Sequence, residues 1–247
     1  MIRYPIYACI IIFVSIILVG SASHFFWAKI FFEKTPGDEK KYTKNTAPHS
    51  DAPIVSPKGR EVWSEYIDAV GLEIAYENFK HEYKSREFGE QHIAAHVLGE
   101  LIYKKGGVGG VAICDGTFSF GCYHSFFTAA ISNNGLGILQ EIEGGCIEKF
   151  GSLGTGCTHG IGHGILEYMG HERLKDAINE CAKLSWQKPL FGCQSGVFME
   201  YNFPTLIDST GAVSSIRGFD ADHPYLPCPE APERFRQACY FEMPEWW

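Results

Sequence analysis

The sequence predicts an all-α fold, a disulfide-stapled array of helical hairpins behind an N-terminal transmembrane helix. Three observations predict it. An uncharged apolar run opens the chain, eight cysteines fall into four close pairs after it, and helix–turn–helix segments recur about every 35 residues. Apolar content of 45% and charged content of 20% suit a packed globular domain. A length of 247 residues suffices for one such domain and an attached segment.

The run "YPIYACIIIFVSIILVGSASHFFW" carries no formal charge from Tyr4 to Trp27. It is long enough to cross a bilayer as a helix, with Tyr4 and Trp27 where interfacial aromatic residues belong. Residues 1–32 are therefore expected to anchor the protein in a membrane. The small residues "GSAS" at 20–23 leave a cleaved signal peptide as the alternative, which would make the protein secreted. Residues 33–59 turn to Pro, Lys, Asp, Ser and Thr, as in "KTPGDEKKYTKNTAPHSDAPIVSPKG". Such a stretch has too little apolar surface to pack and is expected to be a flexible linker.

Residues 60–247 are expected to form the extracytoplasmic domain. "EVWSEYIDAVGLEIAYENFKHEY" places Val62, Tyr66, Ala69, Val70, Ile74, Phe79 and Tyr83 near helical spacing, which predicts one long amphipathic helix. A second helix is predicted from Phe88 to Lys105, where "KKGGVGG" supplies lysines and then glycines as a stop signal. Three segments then begin "GCYHS", "GCTHG" and "GCQSG", at Cys122, Cys157 and Cys193. Each is expected to start a helix, followed by a turn such as "SNNG" or "MGHE". A second helix carries the next cysteine, as in "LQEIEGGCIEKF" and "LKDAINECAKL". A degenerate fourth start, "ACYFE", is placed at Cys239. In period and hairpin design these units resemble tetratricopeptide and Sel1-like repeats, without the small-residue consensus of either. The resemblance implies a general architecture and no more. The stretch 203–229, rich in Gly, Pro and Asp, breaks the period and is read as an inserted loop.

Cys9 lies in the apolar run. The other eight cysteines pair by proximity as Cys114/Cys122, Cys146/Cys157, Cys181/Cys193 and Cys228/Cys239. An even set of this kind after an export-type segment predicts disulfides in an oxidising space, and no Cys-x-x-Cys is present to suggest a zinc knuckle. Each bridge is expected to tie the end of one hairpin to the start of the next. A loop so short stabilises by about 2–3 kcal/mol in the chain-entropy picture. The formal net charge of −8, with no Lys/Arg stripe in the folded part, argues against a nucleic-acid partner. A small-molecule or protein partner stays open.

The chemistry-bearing signal is a doubled spacing. Residues 92–100 read "HIAAHVLGE" and residues 159–167 read "HGIGHGILE", both His-x-x-x-His-x-x-x-Glu. Residues four apart share a helix face, so His92 with His96, and His159 with His163, can each direct two imidazoles to one transition-metal ion, such as zinc, iron or copper. His124 is a candidate fifth ligand, because "GCYHS" sets it where "GCTHG" sets His159; the third repeat has Ser195 there. Glu100 and Glu167 lie too far along their helices to share an ion with the first histidine of each motif. They are candidate catalytic bases on a metal-activated water, or carboxylates that orient the nearer imidazole. The glycines of "HGIGHG" are poor helix formers and suggest close backbone approach.

The expected function is thus a membrane-anchored, extracytoplasmic helical protein with a histidine-rich metal site, either a metal-dependent hydrolase or an oxidase. Three other functions compete: a non-catalytic disulfide-braced binding module, a metal chaperone or sensor, and a haem protein with axial histidines.

Overall fold

The structure, a computed structural model, describes residues 46–48, 51–151, 154–185, 187–188, 190–202 and 220–243. The expected membrane anchor, most of the expected linker and residues 203–219 of the expected loop lie outside the described residues. Among the described residues no helix is long and apolar enough to cross a membrane.

Among the described residues the protein has nine α-helices and no strands. They are α1 (Pro57–Val70), α2 (Leu72–Tyr83), α3 (Phe88–Gly106), α4 (Gly121–Asn134), α5 (Leu139–Phe150), α6 (Thr155–Met169), α7 (Leu174–Cys181), α8 (Cys193–Asn202) and α9 (Glu233–Phe241). Where the periodicity predicts one long helix over 60–83, the chain forms two. Gly71 takes φ +87°, a left-handed backbone that an L side chain rarely adopts, and its N–H closes α1 on the Ile67 carbonyl at 2.8 Å. The helical domain also begins ahead of Arg60. Ser56 caps α1 by accepting from the Gly59 N–H at 3.1 Å, and Ile54 is buried.

Helices α3, α4, α6 and α8 pack side by side in that order as an inner row. Helix α5 lies against α6 and the 3₁₀ turn Gly107–Ala112, α7 lies against α6 and α8, and α9 covers α8. The α1–α2 hairpin closes the other end on α3. The core runs through Leu98, Phe126, Phe127, Ile161, Ile165, Val197 and Phe198. Backbones in the row come close enough that glycine is required at the crossings. A Cβ at Gly99 would overlap the Cys122 carbonyl oxygen, one at Gly162 the Cys193 carbonyl oxygen, and one at Gly196 the His159 carbonyl oxygen.

The four disulfides are those that the spacing suggests: Cys114–Cys122, Cys146–Cys157, Cys181–Cys193 and Cys228–Cys239. Their Cα–Cα distances of 5.4–5.7 Å are ordinary for a bridge. The first three hold the starts of α4, α6 and α8. The fourth departs from the expected pattern: Cys239 sits near the end of α9, because that helix starts just after Pro232. Four disulfides of this kind point to an oxidising, extracytoplasmic compartment.

Candidate metal centre

The inner row brings all five predicted histidines together. Helix α3 supplies His92 and His96, α4 supplies His124, and α6 supplies His159 and His163. Helix α4 stands between the other two, so the i, i+4 pairs do not face each other directly; His124 joins them. Nitrogens of His92, His96 and His124 lie within 4.8 Å of one another, and so do those of His124, His159 and His163. Each triad can hold a metal ion.

On the α3 side, His96 Nε2 is 3.1 Å from His92 Nε2 and 3.2 Å from His124 Nδ1. Metal–nitrogen bonds of roughly 2.0–2.1 Å put the nitrogens of a tetrahedral ion about 3.3 Å apart, close to this spacing. His92 has a fixed tautomer. Its Nδ1–H donates to the Phe118 carbonyl at 2.8 Å, which leaves the Nε2 lone pair for the cluster. That carbonyl is delivered by a strained turn. Phe118, Ser119 and Phe120 hold φ of +56°, +54° and +63°, each a left-handed conformation costing a non-glycine residue about 1–2 kcal/mol. The turn is pinned from several sides. Cys114 is bridged to Cys122, and its carbonyl accepts from the Tyr123 hydroxyl at 2.6 Å. Asp115 accepts from the Tyr76 hydroxyl at 2.8 Å, Lys80 at 2.9 Å and the Thr117 N–H at 2.8 Å. Against the opposing effect of burial, these donors hold the Asp115 carboxyl down at about 2.

On the α6 side, His163 Nε2 is 3.0 Å from His159 Nε2, and His163 Nδ1–H donates to Glu200 Oε2 at 2.8 Å. Both His163 and Glu200 are buried. A carboxylate behind an imidazole fixes its tautomer and aims Nε2 at a metal, the arrangement common around metal-ligating histidines. Met199 adds a thioether, its Sδ 3.4 Å from His159 Nε2. Burial, with neighbouring imidazoles adding to it, holds the protonated forms in check. His92 is lowered, His96 is pushed down to about 3, and His124 and His159 lie well below the usual imidazole range. These four rings are therefore neutral at physiological pH, the form that binds metal.

The two carboxylates of the doubled motif have different surroundings. Glu100 faces away from the cluster, pairing with Arg60 Nη1 at 2.5 Å and with Lys104, and these cations lower its pKa against the effect of burial. Glu167 is on the inner seam between α4 and α6, where it accepts from the Thr128 hydroxyl at 2.8 Å. Burial, with a contribution from nearby Glu200, raises Glu167 to about 8. Thr128 and Glu167 stand one helical turn beyond His124 and His163.

Glu200 echoes Glu167 one repeat later, a match that suggests it reaches the same pocket, while no sequence signal points to Met199; both reach the His159/His163 pair. The signal for Glu200 was the match of "GVFMEYNF" to "GILEYMG", displaced by about one turn relative to the repeat's cysteine. His171 sits in the 3₁₀ turn His171–Arg173, and its Nε2 lies 3.9 Å from Glu200 Oε1. Of the aromatic residues near the site, Tyr123, Phe126 and Phe127 are buried in the core, whereas Phe120 and Tyr168 are exposed. Comparison of the chain with protein-family models, curated proteins and solved structures found no match.

Proposed function

We propose that this chain is a transition-metal protein, anchored in a membrane through residues 1–32 with its helical domain in an oxidising compartment, and that His92, His96, His124, His159 and His163 are the metal ligands. The observation that carries this reading is the pair of anchored imidazoles. His92 and His163 each use Nδ1–H on a fixed acceptor and turn Nε2 toward other ring nitrogens at 3.0–3.1 Å. Nitrogen donors favour zinc, copper, iron or nickel over magnesium or calcium. Axial ligation of haem is disfavoured, since it needs imidazoles on opposite faces of a macrocycle, and these nitrogens stand 3.0–3.2 Å apart.

The test is metal analysis of the full chain, purified with its disulfides formed and dialysed against a weak chelator. Stoichiometric zinc, copper or iron is expected, and a His92→Ala/His159→Ala variant with an unchanged far-UV dichroism spectrum is expected to lose most of it. A folded, oxidised chain that retains no metal and takes up none overturns the reading and leaves a braced helical scaffold.

A metal-dependent enzyme is the version favoured by Glu167. A carboxyl raised to about 8, one turn beyond His163, suits proton transfer near neutral pH. Glu100, tied to Arg60 and Lys104, is the weaker candidate base.

A further inference from the structure

We infer that His124 is a shared ligand, one imidazole binding two metal ions through its two ring nitrogens, so that the site is a bridged dinuclear centre. The inference rests on the metal reading above and adds the number of ions and the link between them.

His124 belongs to both triads. Its ring centroid lies 5.3 Å from His92 and 5.1 Å from His96 on one side, and 4.3 Å from His163 and 6.2 Å from His159 on the other. Its Nδ1 faces His96 Nε2 at 3.2 Å, which assigns Nδ1 to the α3 ion and leaves Nε2 for the α6 ion. The other four histidines divide between the two ions by helix. No ordinary acceptor is needed for an N–H on His124, because the second ion replaces that proton. The neutral ring binds one ion through its lone pair. The other ion then binds the second nitrogen as the N–H proton leaves to solvent, and the ring becomes an imidazolate. Two metal–nitrogen bonds of roughly 2 Å on either side of a five-membered ring place the ions about 6 Å apart. Helix α4 fits this role by its place in the row, between the two helices that carry the paired ligands.

The two ions would not be equivalent. The α6 ion has the Glu200-anchored His163 and the Met199 thioether near His159, a softer donor set that suits copper. The α3 ion has the carbonyl-anchored His92, which is the less buried ring and has exposed Phe88 stacked on it, at a 6.2 Å centroid distance and an 11° interplanar angle.

The test uses copper as the probe on the full chain with its disulfides formed. The chain is loaded with Cu(II), oxidised with ferricyanide and desalted. Copper per chain is counted after acid release, and the low-temperature electron paramagnetic resonance intensity is compared with that count. An imidazolate bridge couples the two spins, so two copper ions per chain and a signal at a small fraction of the copper counted are expected. His96→Ala, which disrupts only the α3 triad, is expected to keep one copper with its full uncoupled signal. His124→Ala, checked for folding by circular dichroism, is expected to lose the coupling. Two ions with full intensity in the unmodified chain, or a single ion per chain, overturns the bridge and leaves the metal reading standing. A chain that binds neither copper nor zinc overturns both.

Discussion

Two glycines in helix interiors should respond to alanine with opposite signs. Gly162 lies mid-way along α6 and Gly144 mid-way along α5. On helix propensity alone each substitution should stabilise by about 1 kcal/mol. At Gly144 nothing lies within 4 Å of the added Cβ, so Gly144→Ala should realise about 0.5–1 kcal/mol. At Gly162 the Cβ would overlap the Cys193 carbonyl oxygen and stand 2.7 Å from the Val197 amide nitrogen, where real Cβ contacts essentially never fall below 3.0 Å. Both obstacles are backbone of α8, so α6 and α8 must separate. Overpacking of this kind costs about 1–3 kcal/mol, more than the propensity gain. The two variants should therefore differ by about 2 kcal/mol in urea denaturation of the oxidised chain, with Gly162→Ala below the unmodified protein. The same separation acts on the 2.8 Å His163–Glu200 hydrogen bond, which spans α6 and α8, so metal affinity should fall in Gly162→Ala and not in Gly144→Ala. If Gly162→Ala proves as stable as Gly144→Ala, the close crossing is wrong and the seam that assembles the α6 side of the centre goes with it.

Acid should destabilise the metal-free protein through its histidines. His96 falls from an ordinary value of 6.5 to about 3 on burial, so the stability it contributes is complete above 6.5 and is lost at about 1.4 kcal/mol per pH unit below it. Glu167, raised to about 8, has the reverse sign, losing stability as pH rises, so the histidine effect is read in a Glu167→Gln background; a flat urea midpoint from pH 7 to 5 there would contradict it. Ser119→Gly should stabilise by about 1 kcal/mol, because Ser119 is exposed and pays for φ +54° without a compensating side-chain contact in the turn; unchanged thermal unfolding would count against the strain. Glu200→Gln should lower metal affinity by about tenfold, in chelator competition, while leaving the helical spectrum intact, and an unaltered affinity would remove Glu200 from its orienting role.

Much of the fold was legible because its signals are local. A cysteine at the start of each repeat, a turn and a second helix recur in the sequence, and the structure places α4, α6 and α8 behind bridged cysteines as that pattern implies. The breaks in legibility are backbone choices that hydrophobic spacing does not encode. The apolar positions of 60–83 keep helical rhythm across Gly71, so periodicity alone runs α1 and α2 together, and only the left-handed φ at that glycine separates them. Ile54 sits among Pro, Ser and Asp, a composition that reads as solvated, and its burial depends on the tertiary surface it meets.

For the site, legibility follows whether a residue's partners lie on its own helix. The i, i+4 pairs are visible because one helix creates them, whereas their meeting point depends on which helix stands between α3 and α6. The repeat alignment of "GCYHS" with "GCTHG" was enough to nominate His124, yet only the row order α3, α4, α6 makes it central. The same order explains why the two glutamates of a repeated motif diverge. Glu167 lies on a helix with inner-row neighbours on both sides and turns into the α4 seam beside Thr128; Glu100 lies on the end helix of the row, and its outer side meets α1 and Arg60. An identical His-x-x-x-His-x-x-x-Glu spacing thus produces a half-buried carboxyl bonded to a threonine hydroxyl in one copy and a half-buried ion pair with Arg60 and Lys104 in the other. Position in the row decides which, and so a search for similar sites from sequence should weigh the histidine on the middle helix above the repeated glutamates.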